Sequence, residues 1–374
     1  MGTTTLSHNG ITVEPSEPLG SIGGVEGQYG GLIGTVNALK PNTQYSIPIT
    51  LYGKSDLVKL DETSTLYHAA RFVIETARVP VDVICVPKGS TADETEQNLI
   101  GGVDATDGQL LGLEAFNTCK TAPTNIGVVG KGTVGIGHAL AGVVDKLKAE
   151  GWISGSDTNT EDAKAFGMLF GDAHKRVWAV DVSGERWNHV IPPAVYGMAA
   201  RLSVKPWKTP SGQPLKLDDL ARTVGYETND PASEAVALNK VGVSLAVPDP
   251  EGGIMFLGHR TLSGAFGNIV GMENQLIRGI VRSHRQTMSE NLDLDFFKGR
   301  IAQLNNWLSS LESDGAHMGA RVYLHPERNN LERYKNGEWV LVIDWGAYRP
   351  NEHSIVELNQ SDAIVKDFLG NALK

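Results

Sequence analysis

Between residues 64 and 182, apolar runs alternate four times with stretches of helical spacing, and this alternation limits the possible folds more than any other feature. Ser64 is placed to cap a helix running to about Arg78, with Leu66, Ala70, Val73, Ile74 and Ala77 on one face. Val79–Val86 reads as a buried strand, and 108–116 as a helix. Asn125–Val129, Trp152–Ser154 and Arg176–Val182 read as further strands, separated by helices over 134–150 and 160–170. Strands that are apolar throughout and alternate with helices predict a mainly parallel sheet covered on both faces.

The flanks differ from this middle. Residues 19–34 are rich in glycine (Gly20, Gly23, Gly24, Gly27, Gly30, Gly31, Gly34) and read as a linker or an arm. After residue 260 come two amphipathic helices, over 268–291 and 294–313, the second with Phe297, Ile301, Leu304, Leu308 and Leu311 on one stripe. Ala320–Leu324 and Trp339–Trp345 follow as strands of a hairpin turning through Lys335-Asn-Gly337. Ser354–Leu358 reads as a last strand, before a short closing helix.

Composition excludes several functions. The formal net charge of −10 is unsuited to a polyphosphate surface, so no nucleic acid partner is expected. No apolar run reaches the length of a membrane span, and no signal-peptide pattern opens the chain. Cys85 and Cys119 are too far apart for a close metal-ligand pair and read as free thiols. The 10 histidines include no HxH or HExxH spacing, so no metal is expected. No set of residues points to catalysis, and no cofactor is expected.

One motif argues otherwise. Ile126-Gly-Val-Val-Gly130-Lys-Gly132-Thr-Val-Gly135 places GxGxxG between a strand and a helix, as in a dinucleotide fingerprint. It supports an alternative reading, a nicotinamide-dependent oxidoreductase using Gly130, Gly132 and Gly135. Against it, a strong strand precedes the motif, and Asp157 is a loose match for the ribose-binding acid.

A set of segments in fixed order resembles the tail sheath family of contractile phages. They are Leu238-Asn239…Gly242-Val243, then Phe256-Leu-Gly258-His-Arg260-Thr261, with Val190-Ile-Pro192-Pro193-Ala194, Gly197, Ala200, Arg201 and Trp207-Lys-Thr-Pro210 upstream. His8–Glu14 and Thr106-Asp-Gly108…Gly112-Leu113 are similar to the family's opening strand and a recurrent turn. Phe256 stands where the family often has Trp. The resemblance is nearest to sheaths of P2-like phages and related bacteriocins.

The resemblance implies an arm and linker over 1–35, an outer α/β domain over 36–260, an α+β inner domain over 261–350 and a C-terminal arm over 351–374. It implies a subunit of stacked hexameric rings that surrounds a tail tube protein and meets baseplate and tail terminator proteins. Assembly would take place in a host cytoplasm and leave the chain in a virion tail. Open strand edges invite pairing. The arm strands (Ile11, Thr12, Val13; Ser354, Ile355, Val356, Leu358) are therefore expected to pair with a neighbour's hairpin at Val322, Leu324, Val340 and Val342. Arg278, Arg282, Arg285, Lys298 and Arg300 are the candidates for facing an acidic tube.

Overall fold

The structure is a computed structural model and describes residues 27–285, 287–288 and 290–372. Nine strands form one sheet: β1 (Gly30–Val36), β2 (Ile49–Leu51), β3 (Val81–Pro87), β4 (Asn125–Val128), β5 (Glu150–Ser154), β6 (Val177–Asp181), β7 (Pro214–Leu215), β8 (Val243–Pro248) and β9 (Ile254–Leu257). Their order is β7-β9-β8-β6-β5-β4-β1-β3-β2. The strands from β8 to β3 are parallel, and antiparallel strands close both ends.

Side chains alternate across this sheet as strand geometry requires. Val81, Val83 and Cys85 of β3 enter one core with α1 (Thr65–Ala77). Ile84 and Val86 enter the other, with α2 (Ala92–Ile100), α3 (Val134–Leu147) and α4 (Thr160–Gly167). The first core also takes α5 (Pro193–Leu202), and the second takes α6 (Glu234–Asn239). The expected mainly parallel sheet with helices on both faces is thus present.

Two local expectations are corrected. The glycine-rich stretch does not run as linker to residue 35, because residues 30–36 are β1, inside the sheet between β3 and β4. Packing explains the glycines: a Cβ on Gly31 would lie 2.7 Å from the Phe116 ring, and one on Gly34 would lie 2.9 Å from Val129. Residues 108–116 are not a regular helix; a short strand, Leu110–Leu111, leads into a 3-10 turn, Gly112–Thr118. The helix α2 goes unmarked in the sequence, because Leu99 is its one buried residue and no apolar stripe forms.

The remaining chain builds a second layer. The helices α7 (Gly267–His284) and α8 (Leu294–Ser313) pack with a hairpin of β10 (Ala320–Leu324) and β11 (Leu341–Trp345). The hairpin connection contains a short helix, α9 (Leu331–Lys335), so the second strand begins at Leu341 and not at Trp339. The chain ends its described course in α10 (Asp362–Ala372).

Two glycines let α7 approach the sheet. A Cβ on Gly267 would clash with the Trp178 ring, and one on Gly271 with Arg201 Nη2 and the Pro206 carbonyl. Gly271→Ala is therefore expected to lose at least ~1–3 kcal/mol of stability through overpacking. Gly142→Ala is the opposite case, on exposed α3 with nothing near the new methyl, and should gain about 0.5–1 kcal/mol. Urea unfolding of the two variants beside the parent chain checks both signs.

Candidate functional site

The resemblance implies a polymer subunit, which would work through its surfaces and through the joints that hold those surfaces in fixed relation. The main joint lies where α7 crosses the N-terminal ends of the parallel strands. Arg278 donates to the carbonyls of Ala122 (2.6 Å), Pro123 (3.0 Å) and Leu147 (3.1 Å), all just before β4 or β5. Asn274 Nδ2 donates to Ala149 O at 3.3 Å, and Asn274 Oδ1 accepts from Arg176 Nε at 2.7 Å. Arg176 also pairs with Asp145 (2.7 Å) and with Glu273 (3.1 Å).

Beneath Gly271 lies a buried ion pair. Arg201 is 0% exposed and Glu150 3% exposed. Arg201 Nη2 and Nε donate to Glu150 Oε1 at 2.7 and 3.0 Å. Its other donors reach the carbonyls of Lys205, Pro206 and Lys208 at 3.2, 2.6 and 3.0 Å. Glu150 Oε2 accepts from Trp178 Nε1 at 2.8 Å. Trp178 stacks on Trp152 at 4.8 Å and 7°, and Trp152 Nε1 donates to Asn125 Oδ1 at 2.9 Å. Trp207, in the turn whose carbonyls hold Arg201, enters the second-layer core with Met272, Leu276 and Trp307. The sequence marks Arg201 only as part of the segment that follows Pro192-Pro193, and no pattern in the chain marks Glu150 as its partner.

The glycine turn does not have the surroundings of a phosphate cradle. Thr133 caps α3, and its hydroxyl donates to Glu96 Oε1 at 2.7 Å. A Cβ on Gly135 would strike the same carboxylate. The first turn of α3 thus already faces the chain's own anion, which would repel a pyrophosphate. Asp157, the loose match for a ribose ligand, instead accepts from Ser183 N at 2.7 Å, while its own N–H donates to Asp181. The oxidoreductase reading therefore loses its motif.

The hairpin presents two different faces. Val322 is buried and Leu324 half-buried, opposite Ile343 and Leu341 on the side packed against α8. Val342 lies on the other side, opposite Tyr323, and Val340 precedes β11. Neither strand pairs with a third among the described residues. Ser354–Leu358 forms no strand within the chain, and Ile355, Val356 and Leu358 are 84%, 77% and 93% exposed. Ile11, Thr12 and Val13 lie outside the described residues.

The basic candidates divide. Arg278 is spent on the joint described above. Arg300 is 4% exposed and lies between Ser283 Oγ (2.6 Å) and Gln303 Oε1 (2.5 Å), with burial lowering its pKa. Neither presents a free cationic face, because each guanidinium is turned into the protein. Arg282, Arg285 and Lys298 are exposed around the α7–α8 turn.

No protein-family profile matches the chain. It is 24% identical over 363 residues to a protein of Pseudomonas aeruginosa (strain UCBPP-PA14) named as a prophage major tail sheath protein, covering 90% of this chain and 93% of that one. It is 23% identical over 326 residues to the tail sheath protein of Escherichia phage P2, covering 80% and 81% of the two chains. Among solved structures, the sheath complex of the PVC extracellular contractile injection system in its contracted state superposes with a TM-score of 0.72 at 17% identity, covering 97% of this chain and 100% of that one.

Three histidines give a pH prediction. Burial lowers the pKa of His68, His174 and His259, and His174 also bonds His138 at 2.9 Å. A histidine held neutral stabilises the fold above its ordinary value of about 6.5, and that contribution is lost as pH falls through the lower folded value. Asp181, raised by burial, acts with the opposite sign. The urea midpoint should fall between about pH 7.5 and about pH 5.5, and fall less in His174→Gln. Equal slopes in both proteins would contradict this assignment.

Proposed function

We propose that this chain, which belongs to the contractile tail sheath family, polymerises as stacked hexameric rings around a tail tube and shortens to drive that tube through a host envelope. The observation carrying this reading is the pairing of a rigid two-layer body with an exposed, strand-competent C-terminal segment and an unpaired hairpin. Its closest support beyond geometry is the order of segments shared with sheath proteins along nearly the whole chain. The role is structural. Catalysis plays no part in it, and the oxidoreductase alternative is set aside.

Each hairpin edge offers N–H and C=O groups that a neighbour's extended segment can pair with. In this reading Ser354–Leu358 of one subunit, with Ile11–Val13 of another, completes a small sheet on Val322, Leu324, Val340 and Val342. The arrangement suits that task because the chain between the paired segment and its own body can rotate while the paired bonds stay intact. The rest of each subunit moves as one piece, since the α7 joint locks the helical layer to the large sheet. The residues before β1 and residues 351–374 act as arms, with bodies over 30–260 and 261–350, because β1 lies inside the large sheet. A baseplate protein at one end would release the first ring, and a terminator protein would close the other. The subunits would assemble in a host cytoplasm and finish in the tail of a particle.

Two measurements test this. Electron microscopy of the purified chain should show hollow tubes or six-fold rings. Removing residues 353–374 should leave a folded protein that no longer forms them; tubes of normal length from the truncated chain would overturn the arm assignment. Arg282, Arg285 and Lys298 face the tube in this scheme. Replacing all three by Glu should weaken co-assembly with tube protein at least tenfold while the circular dichroism spectrum of the monomer stays unchanged. Undiminished co-assembly would move the tube contact elsewhere.

A further inference from the structure

The segment Gly258-His-Arg260-Thr261 is part of the family resemblance, and Arg260 takes no part in the α7 joint or the hairpin. Arg260 lies between β9 and α7, where its Nε and Nη2 grip the Glu352 carboxylate in a two-pronged pair, at 2.9 and 2.7 Å. Nη1 donates to Gly264 O at 2.8 Å, and the guanidinium lies 3.9 Å from the centre of the Phe266 ring. Four residues before Glu352, the Tyr348 carbonyl accepts from Asn268 Nδ2 at 2.8 Å. Beyond Glu352, residues 353–360 are all exposed.

Glu352 is thus the last residue of the C-terminal arm held by the body. We propose that the Arg260–Glu352 pair is a latch that fixes where the arm leaves the body and carries tension on the arm into the large sheet. This inference rests on the arm-exchange reading above.

The geometry favours a mechanical role. Without the latch, a pull on residues 354–358 would fall on the single Asn268–Tyr348 bond and then on the bonds of Gly346 to Met318 and Gly319 at the open end of the hairpin. With the latch closed, the pull reaches the 258–266 connection instead. That connection is fastened at both ends: Leu262 N donates to Val177 O (2.8 Å) at the start of β6, and Gly267 N donates to His259 O (2.9 Å) at the start of α7. Tension therefore enters the sheet and the α7 joint together, and the hairpin edge stays free to accept a neighbour's strand. A planar, forked guanidinium on a carboxylate also fixes direction better than a lysine would.

The test uses the full chain with a nitroxide label on Ser354→Cys, in a Cys119→Ala background that leaves buried Cys85 as the only native thiol. Glu352→Gln keeps the shape of Glu352 and removes its charge, and Glu357→Gln serves as the control further out on the arm. The unassembled parent should show a restricted label spectrum, Glu352→Gln a mobile one, and Glu357→Gln no change. The critical concentration for polymerisation should rise about 2- to 5-fold in Glu352→Gln alone, as expected for losing one partly exposed ion pair. Unchanged label mobility in Glu352→Gln would overturn the latch, whatever happens to assembly. A mobile label with an unchanged critical concentration would overturn its part in carrying tension between subunits. A parent chain that never polymerises would count against the sheath reading, while the label spectra still decide the latch.

Discussion

The rest of the structure depends on the buried pair of Glu150 and Arg201. Burying two charges is costly, and the cost is offset only when geometry is good and every remaining donor is satisfied. Here the guanidinium meets the carboxylate in a forked contact and three carbonyls besides, and the carboxylate takes a further bond from Trp178. The pair draws together the start of β5, the end of α5, the 205–208 turn and, through Gly271, the face of α7. Removing one partner would leave an unpaired charge at the centre of all four, a loss on the order of 3–5 kcal/mol.

This pair explains why the joint between the layers is polar and not a second apolar core. Apolar contact is non-directional, so an apolar joint would hold the layers together without fixing their angle. Arg201, Arg176, Arg278 and Asn274 each bond specific backbone or side-chain oxygens, and only one setting of α7 satisfies all of them. A subunit that must turn as a unit under load needs that angular definition.

The parts of the sequence that could be read were those where burial imposes a period. β3, β4 and β6 announced themselves as apolar runs, and α8 as a stripe, because their environments are uniform along their length. β1 could not be read in that way. It is flanked by Phe116, Val129 and Leu66 at such close range that glycine is the side chain that fits, so a central strand has the composition of a linker. The basic residues show a different limit. Arg278 and Arg300 look like Lys298 in sequence, but whether a cationic side chain is turned into the protein or left exposed depends on what packs opposite, which is information from elsewhere in the chain. The same holds for the glycine turn, where Glu96, contributed by α2, decides that no phosphate is welcome. Local spacing suggested a cofactor, and a side chain some 37 residues away removed it.

The distribution of satisfied and unsatisfied groups bears on how such a chain could store work. Within the body, the buried ionic groups at the joint are paired, so the body has little to gain by rearranging. At the periphery lie a hairpin whose outer edges pair with no other strand among the described residues and an extended segment with Ile355, Val356 and Leu358 exposed. α10 adds Ile364, Val365, Phe368 and Leu369, each about half exposed or more. These groups gain free energy only by meeting another surface. A lattice of such subunits would therefore change its energy through contacts between bodies while each body keeps its shape. Two arrangements of the lattice that bury different amounts of this periphery would differ in free energy by the sum over many subunits. Small differences per subunit would then suffice for a large total, released with the arms still connected.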